Sequence, residues 1–208
     1  MTSNLTILLD FMGTFAFALS GIRLAAGKQI DLFGAFIIGL VTAIGGGTIR
    51  DLLLNLTPFW MLDAKYFAIV GIALMAVLLF KEKIFAFGRA LFLFDAIGLG
   101  LFTVVGITKT YDLGQPIWVC MVMGIITGSL GGVIRDVLIN EVPLLFRKDI
   151  YALASLVGGA IYFLSIQLHL SPDITAILAA VSVILIRVLA VKFHIHLPLL
   201  EPLDRKPR

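Results

Sequence analysis

Apolar residues in this chain come in runs too long for the core of a water-soluble domain. Seven stretches, at about 5–25, 32–54, 64–80, 88–108, 116–139, 150–168 and 174–192, are apolar almost throughout. A hydrocarbon layer about 30 Å thick takes roughly 20 residues of helix to cross, so these runs predict an all-α membrane protein with seven transmembrane helices. Charged residues make up 14% of the 208 positions, against about 25% in an ordinary soluble domain. They gather in the short breaks between runs. The net charge is +3, and basic residues placed in such breaks suit loops facing an anionic leaflet, so nucleic acid is not expected as a partner.

Short-loop Lys and Arg set orientation. Arg23, Lys28, Lys81, Lys83, Arg89, Arg147, Lys148, Lys192, Arg205, Lys206 and Arg208 all fall on one side, and Lys65 and Lys109 on the other. This predicts an integral protein of a bacterial inner membrane, with its N-terminus outside and its C-terminus cytoplasmic. Residues 1–192 are expected to form one transmembrane domain and 193–208 a cytoplasmic tail. The N-terminus lacks a basic n-region and Asp10 interrupts the first run, so no cleavable signal peptide is expected. Cys120 stands alone inside an apolar run, where a buried, inert thiol is expected.

The chain also repeats itself. A shift of 85 residues, without a gap, brings positions 10–58 onto 95–143 with 15 identities. They include Asp10 on Asp95, Gly21 on Gly106, Gly39 on Gly124, Thr42 on Thr127, Asn55 on Asn140 and Pro58 on Pro143. Apolar composition alone would match Leu and Ile rather than these. Each copy (about 5–80 and 88–168) holds three runs, and an odd number makes the second copy enter from the opposite side. The expected fold is a 3+3 inverted repeat with a seventh helix appended, an architecture common among transporters.

Within the repeat one stretch carries the chemistry. Gly45-Gly46-Gly47-Thr48-Ile49-Arg50-Asp51 returns as Gly131-Gly132-Val133-Ile134-Arg135-Asp136. Glycine pairs weaken a helix, so the second and fifth helices are expected to be kinked or broken there. A break would free carbonyls that replace part of a cation's hydration shell, and N–H groups that favour an anion or a substrate carboxylate. Neighbouring residues on a helix diverge by about 100°, so Arg50 and Arg135 are expected to find partners in the opposite copy. For Arg50 these would be Asp95 or Asp136, and for Arg135, Asp10 or Asp51. Asp10 and Asp95 either cap their helices or line a pathway mouth. The bland alternative is that both Arg-Asp pairs are static locks. Gly124 and Gly128 have the spacing of a close helix contact or subunit interface. Arg187 reads as an interfacial anchor, and Lys109 as an anchor or an ion- or voltage-sensing charge. No P-loop, nucleophile elbow or zinc-protease motif is present, so neither an enzyme nor a cofactor is expected.

The seven-run plan, the 3+3 repeat and the doubled GGxxRD motif resemble the prokaryotic TRIC family of trimeric intracellular cation channels, also grouped as bacterial proposed glycine transporters. The resemblance extends from about Leu5 to Lys192. It implies a homotrimer with one pore per subunit, lined by the kinked second and fifth helices and passing potassium and also sodium. Gly46, Gly47, Gly131 and Gly132 match the family's kink positions, and Arg50, Asp51, Arg135 and Asp136 the charged pairs. The first copy reads Gly45-Gly46-Gly47 where the second reads Leu130-Gly131-Gly132, so the two kinks are expected to differ. A secondary transporter of glycine or another small amino acid would use the same elements.

Overall fold

The computed structural model describes residues 4–80, 90–147 and 150–195. Lys81, Lys83, Arg89, Lys148 and the tail from 196 onward, which entered the orientation reading, lie outside the described residues. All regular structure among the described residues is helical. The helices are α1 (Asn4–Ala26), α2 (Leu32–Leu53), α3 (Phe59–Leu62), α4 (Lys65–Leu79), α5 (Ala90–Asp112), α6 (Ile117–Leu138), α7 (Ala152–Gln167) and α8 (Pro172–Lys192), with a 3-10 turn at Leu144–Phe146 before α7.

Five of these, α1, α2, α5, α6 and α8, are long and apolar enough to cross a membrane. The other two expected spans, α4 and α7, are apolar but have only 15 and 16 residues. At 1.5 Å per residue a straight helix of that length reaches about 22–24 Å, short of the hydrocarbon thickness. Each follows a short turn of helix, α3 or the 3-10 turn, that takes up part of the apolar run.

The duplication is carried into three dimensions. α2 and α6 begin and end 85 residues apart. Both end in the same cap. Asn55 and Asn140 take left-handed backbone conformations, φ 55° and 58°, which asparagine tolerates better than most residues. The amides of Leu56 and Glu141 then donate to the carbonyls of Asp51 and Asp136, each at 2.8 Å, closing a Schellman turn. α2 and α6 pack on each other at the centre, with α1 on α2, α5 on α6 and α1 on α5; α8 closes over α5 and α7.

Glycines bring the backbones together in reciprocal pairs. A Cβ on Gly46 would strike the Thr127 carbonyl, and one on Gly131 the Thr42 carbonyl. Gly21 sits against Thr42 as Gly106 does against Thr127, and Gly13 against Phe102 as Gly98 does against Phe17. Gly124 and Gly128 face Ile107, Thr103 and Leu99, so their small-residue face packs on α5 of the same chain.

The expected break at the glycines is not seen. α2 is helical through Gly45, Gly46 and Gly47, and α6 through Gly131 and Gly132. Glycine costs only about 1 kcal/mol within a helix, and here its missing side chain permits a crossing that no larger residue allows. The backbone N–H and C=O groups expected to be freed at a break remain within helices.

Candidate polar sites at the ends of the α2–α6 pair

The motif places its charges at the last turns of α2 and α6, hence at opposite ends of the bundle. Arg50 and Arg135 are 0% and 1% exposed, and Asp51 and Asp136 are both 3% exposed. Contrary to the sequence expectation, each arginine pairs with the aspartate that follows it. Arg50 Nε and Nη2 donate to Asp51 Oδ1 at 2.8 and 2.6 Å, and Arg135 Nε donates to Asp136 Oδ1 at 2.8 Å. The 100° divergence of neighbouring Cβ atoms is overcome by the length of the arginine stem, which folds back along the helix end. The second aspartate oxygen reaches past the Schellman turn. Asp51 Oδ2 accepts from the Phe59 amide at 2.9 Å, and Asp136 Oδ2 from the Leu144 amide at 3.0 Å. Each Asp thus clamps its arginine and starts the next turn of helix, just after Pro58 or Pro143.

The two ends then diverge. Arg135 Nη1 donates to Asp95 Oδ1 at 2.9 Å and to Ser20 Oγ at 2.7 Å. At the other end Arg50 Nη1 is buried without a hydrogen-bond partner. Asp10, the counterpart of Asp95, accepts instead from the Tyr66 hydroxyl at 2.6 Å and pairs with Lys109 Nζ at 3.5 Å. The Phe59 ring meets both cations, with the Arg50 guanidinium 5.8 Å and Lys109 Nζ 5.0 Å from its centre. Neither Asp10 nor Asp95 caps a helix. Both are buried inside α1 and α5, at 4% and 0% exposure. Both acidic partners of Arg135 come from its own copy, so no pair links Arg50 or Arg135 to a carboxylate of the other repeat among the described residues.

At the Arg135 end a cavity of about 290 Å³ is lined by Asp95, Arg135, Asp136, Phe92, Arg147 and Arg187, among others. Arg187 is fully buried and does not snorkel. Its apolar stem would reach water from a helix end facing lipid, but α8 turns it inward onto Tyr151. Outside the helices, Lys28 Nζ meets Glu141 Oε1 at 2.6 Å and Arg147 meets Glu141 at 3.4 Å, placing these loops on one face. The Glu141 carboxyl is held below the usual glutamate range, first by the Lys28 hydrogen bond and then by its charge. On the other face the Lys65 amide, then its ammonium, lowers the Asp63 carboxyl.

Sequence reading missed Ser20, Phe59, Tyr66, Tyr151 and the inward turn of Arg187. Tyr66 and Tyr151 stand 85 residues apart, so continuing the repeat beyond Pro58 would have found them. Ser20 carried no signal, because its counterpart is Val105.

The repeat and the fold are shared with known proteins. A family model described as glycine transporter matches residues 7–82 and again 92–167, two copies at the repeat spacing. A UPF0126 membrane protein of Vibrio cholerae is 40% identical over 202 residues, 95% of this chain and 84% of its own length. The inner membrane protein YadS of Escherichia coli K12 is 36% identical over 193 residues, 91% of this chain and 93% of its own. Among solved structures, the TRIC trimeric intracellular cation channel orthologue from Rhodobacter sphaeroides has a TM-score of 0.87 at 31% identity, covering 93% of this chain and all of that one. A structure from work on conductance through TRIC cation channels gives 0.83 at 34% identity, covering 94% and 97%. This chain is therefore an integral membrane protein of the glycine-transporter family, the family to which the prokaryotic TRIC proteins belong.

Proposed function

We propose that the protein is a monovalent cation channel, passing potassium and also sodium, with one pore in each subunit of a homotrimer. The likeness to TRIC cation channels over more than nine-tenths of both chains supports the class. One observation in this chain carries the reading further: each buried arginine of the motif is matched by carboxylate. Arg50 and Lys109 stand with Asp51 and Asp10, and Arg135 with Asp95 and Asp136. Unpaired arginines would present a positive wall to potassium, whereas these ends carry no net positive charge from the motif itself.

The pathway runs along the α2–α6 pair. Gly45, Gly46, Gly47, Gly131 and Gly132 form the closed crossing, where backbones touch, and conduction requires this crossing to part. The weakness of glycine-rich helix favours that motion. Arg50, Asp51, Arg135, Asp136, Asp10 and Asp95 set the potential at the two ends. All seven apolar helices are counted as spans, α4 and α7 reaching across with the help of α3 and the 3-10 turn. They form one domain over residues 1–192 with 193–208 as its tail. The face carrying Lys28, Glu141 and Arg147 is cytoplasmic, by the excess of basic residues on it.

The description of the family model favours a second reading, in which the same helices carry glycine by alternating access. Purified protein in liposomes separates them, with potassium and glycine fluxes measured side by side. Potassium flux without glycine movement is expected. Saturable glycine uptake without potassium flux would replace the channel with the transporter.

A further inference from the structure

The cavity at the Arg135 end is lined by two leucines, Leu24 and Leu144, beside Asp95, Arg135 and Asp136. Through the repeat the three charged residues correspond to Asp10, Arg50 and Asp51, unchanged in type. The leucines correspond to Lys109 and Phe59. These two replacements reach each other, with Lys109 Nζ 5.0 Å from the centre of the Phe59 ring. The Arg50 end therefore spans with side chains the space that its counterpart leaves as cavity.

The last glycine of the motif shows the same contrast. A Cβ on Gly132 would meet polar groups, the Tyr151 hydroxyl at 3.1 Å, Arg135 Nη2 at 3.6 Å and Asp95 Oδ1 at 3.7 Å. One on Gly47, its counterpart, would strike the Phe59 ring. That ring rests on bare α2 backbone, an approach that only glycine allows. It packs edge-to-face on Tyr66, with centres 4.4 Å apart, and the Arg50 guanidinium lies 5.8 Å from its centre. The Phe59 amide donates to Asp51 Oδ2 at 2.9 Å. This bond fixes the backbone and not the ring, so the ring can leave Gly47 by side-chain rotation.

We propose that Phe59 is the constricting residue of the Arg50 end: its ring sets the width available to a cation there, and with it the size of cation that passes. This role rests on the conduction pathway proposed above along α2 and α6. An aromatic ring offers no oxygen to replace hydration water, so a cation passes only when the ring moves aside. The Arg135 end, with leucine at this position and a polar cavity, is the wider mouth.

The test uses the full chain in liposomes, with fluxes of potassium and of the larger cation tetramethylammonium measured side by side. Phe59→Leu installs the residue of the other end. It is expected to raise potassium flux about tenfold and to raise the ratio of tetramethylammonium to potassium flux. Lost packing alone would lower the folded fraction and leave that ratio unchanged. If Phe59→Leu does not fold, Phe59→Met carries the same comparison. Potassium flux in wild type, with the same ratio in the folded variant, would overturn the role of Phe59 and leave the channel standing. No flux of either cation through wild type or variant would overturn both.

Discussion

The two ends of the α2–α6 pair are built from one sequence motif and finished differently. At each end an arginine, the aspartate after it and the amide beyond the Schellman turn make the same clamp. What differs is the neighbouring helix. Ser20 on α1 reaches Arg135, while its counterpart Val105 on α5 offers Arg50 nothing. Lys109 on α5 takes Asp10, while its counterpart Leu24 leaves Asp95 to Arg135. Duplication therefore preserved the helix-ending device, and two substitutions on the packing helices redirected the charges. The Arg135 end is cross-linked between α1, α5 and α6. Each end retains an unsatisfied atom, Asp95 Oδ2 at the Arg135 end and Arg50 Nη1 at the other, where the lysine of the Asp10–Lys109 pair is 22% exposed.

Stability of the arginine variants is the strongest way to break this comparison. Arg135→Ala strands two buried carboxylates and is expected to cost about 3–5 kcal/mol. Arg50→Ala strands Asp51 alone and should cost clearly less, about 1–3 kcal/mol. Thermal unfolding in detergent measures both, and equal losses would remove the claimed inequivalence. The crossing itself should be symmetric. Gly46→Ala and Gly131→Ala each press a methyl against a carbonyl of the other helix and are expected to cost about 1–3 kcal/mol. Gly71, with open space around it, is the control. Gly71→Ala should stabilise by up to about 1 kcal/mol.

The redirected charges can be sent back. Val105→Ser with Lys109→Leu gives the Arg50 end the neighbours of the Arg135 end. Double-mutant coupling between Arg50 and Asp10 should then rise from near zero to about 1–2 kcal/mol. No rise would mean that backbone spacing, not the neighbouring side chains, separates them. The smallest effects lie in the loops. Glu141, with its acidity strengthened in the folded protein, contributes stability above the ordinary glutamate range and loses it as pH falls through the lowered value. Wild type should exceed Lys28→Met in stability at pH 7, and the gap should close as pH falls through the lowered Glu141 range. On the opposite face the Lys65 amide holds Asp63 most strongly, so Lys65→Met should show a narrower gap.

Membrane class, repeat spacing and the end-positions of the motif were legible because lipid and duplication both leave long-range patterns in composition. Asn55, Asn140, Pro58 and Pro143 stood out as identities, and the structure gives them a shared task in ending α2 and α6. The partners of Arg50 and Arg135 were not legible. They depend on how far a flexible side chain folds back and on single residues, Ser20 and Lys109, that break the repeat. The glycines were seen but their effect was read as a break, because helix propensity is local and the crossing that uses them is not. Arg187 was hidden for the same reason: its distance from the helix end suggests lipid, and only the packing of α8 on α5 and α7 turns it inward.

The central claim is a cation pathway along α2 and α6 with a matched charge at each end. Single-channel recording of the purified protein in planar bilayers under a potassium gradient tests it most directly, with Arg50→Gln and Arg135→Gln alongside. The account predicts unitary potassium currents in wild type that both folded variants alter. Absence of unitary current in wild type, with saturable glycine uptake by the same preparation, would contradict it.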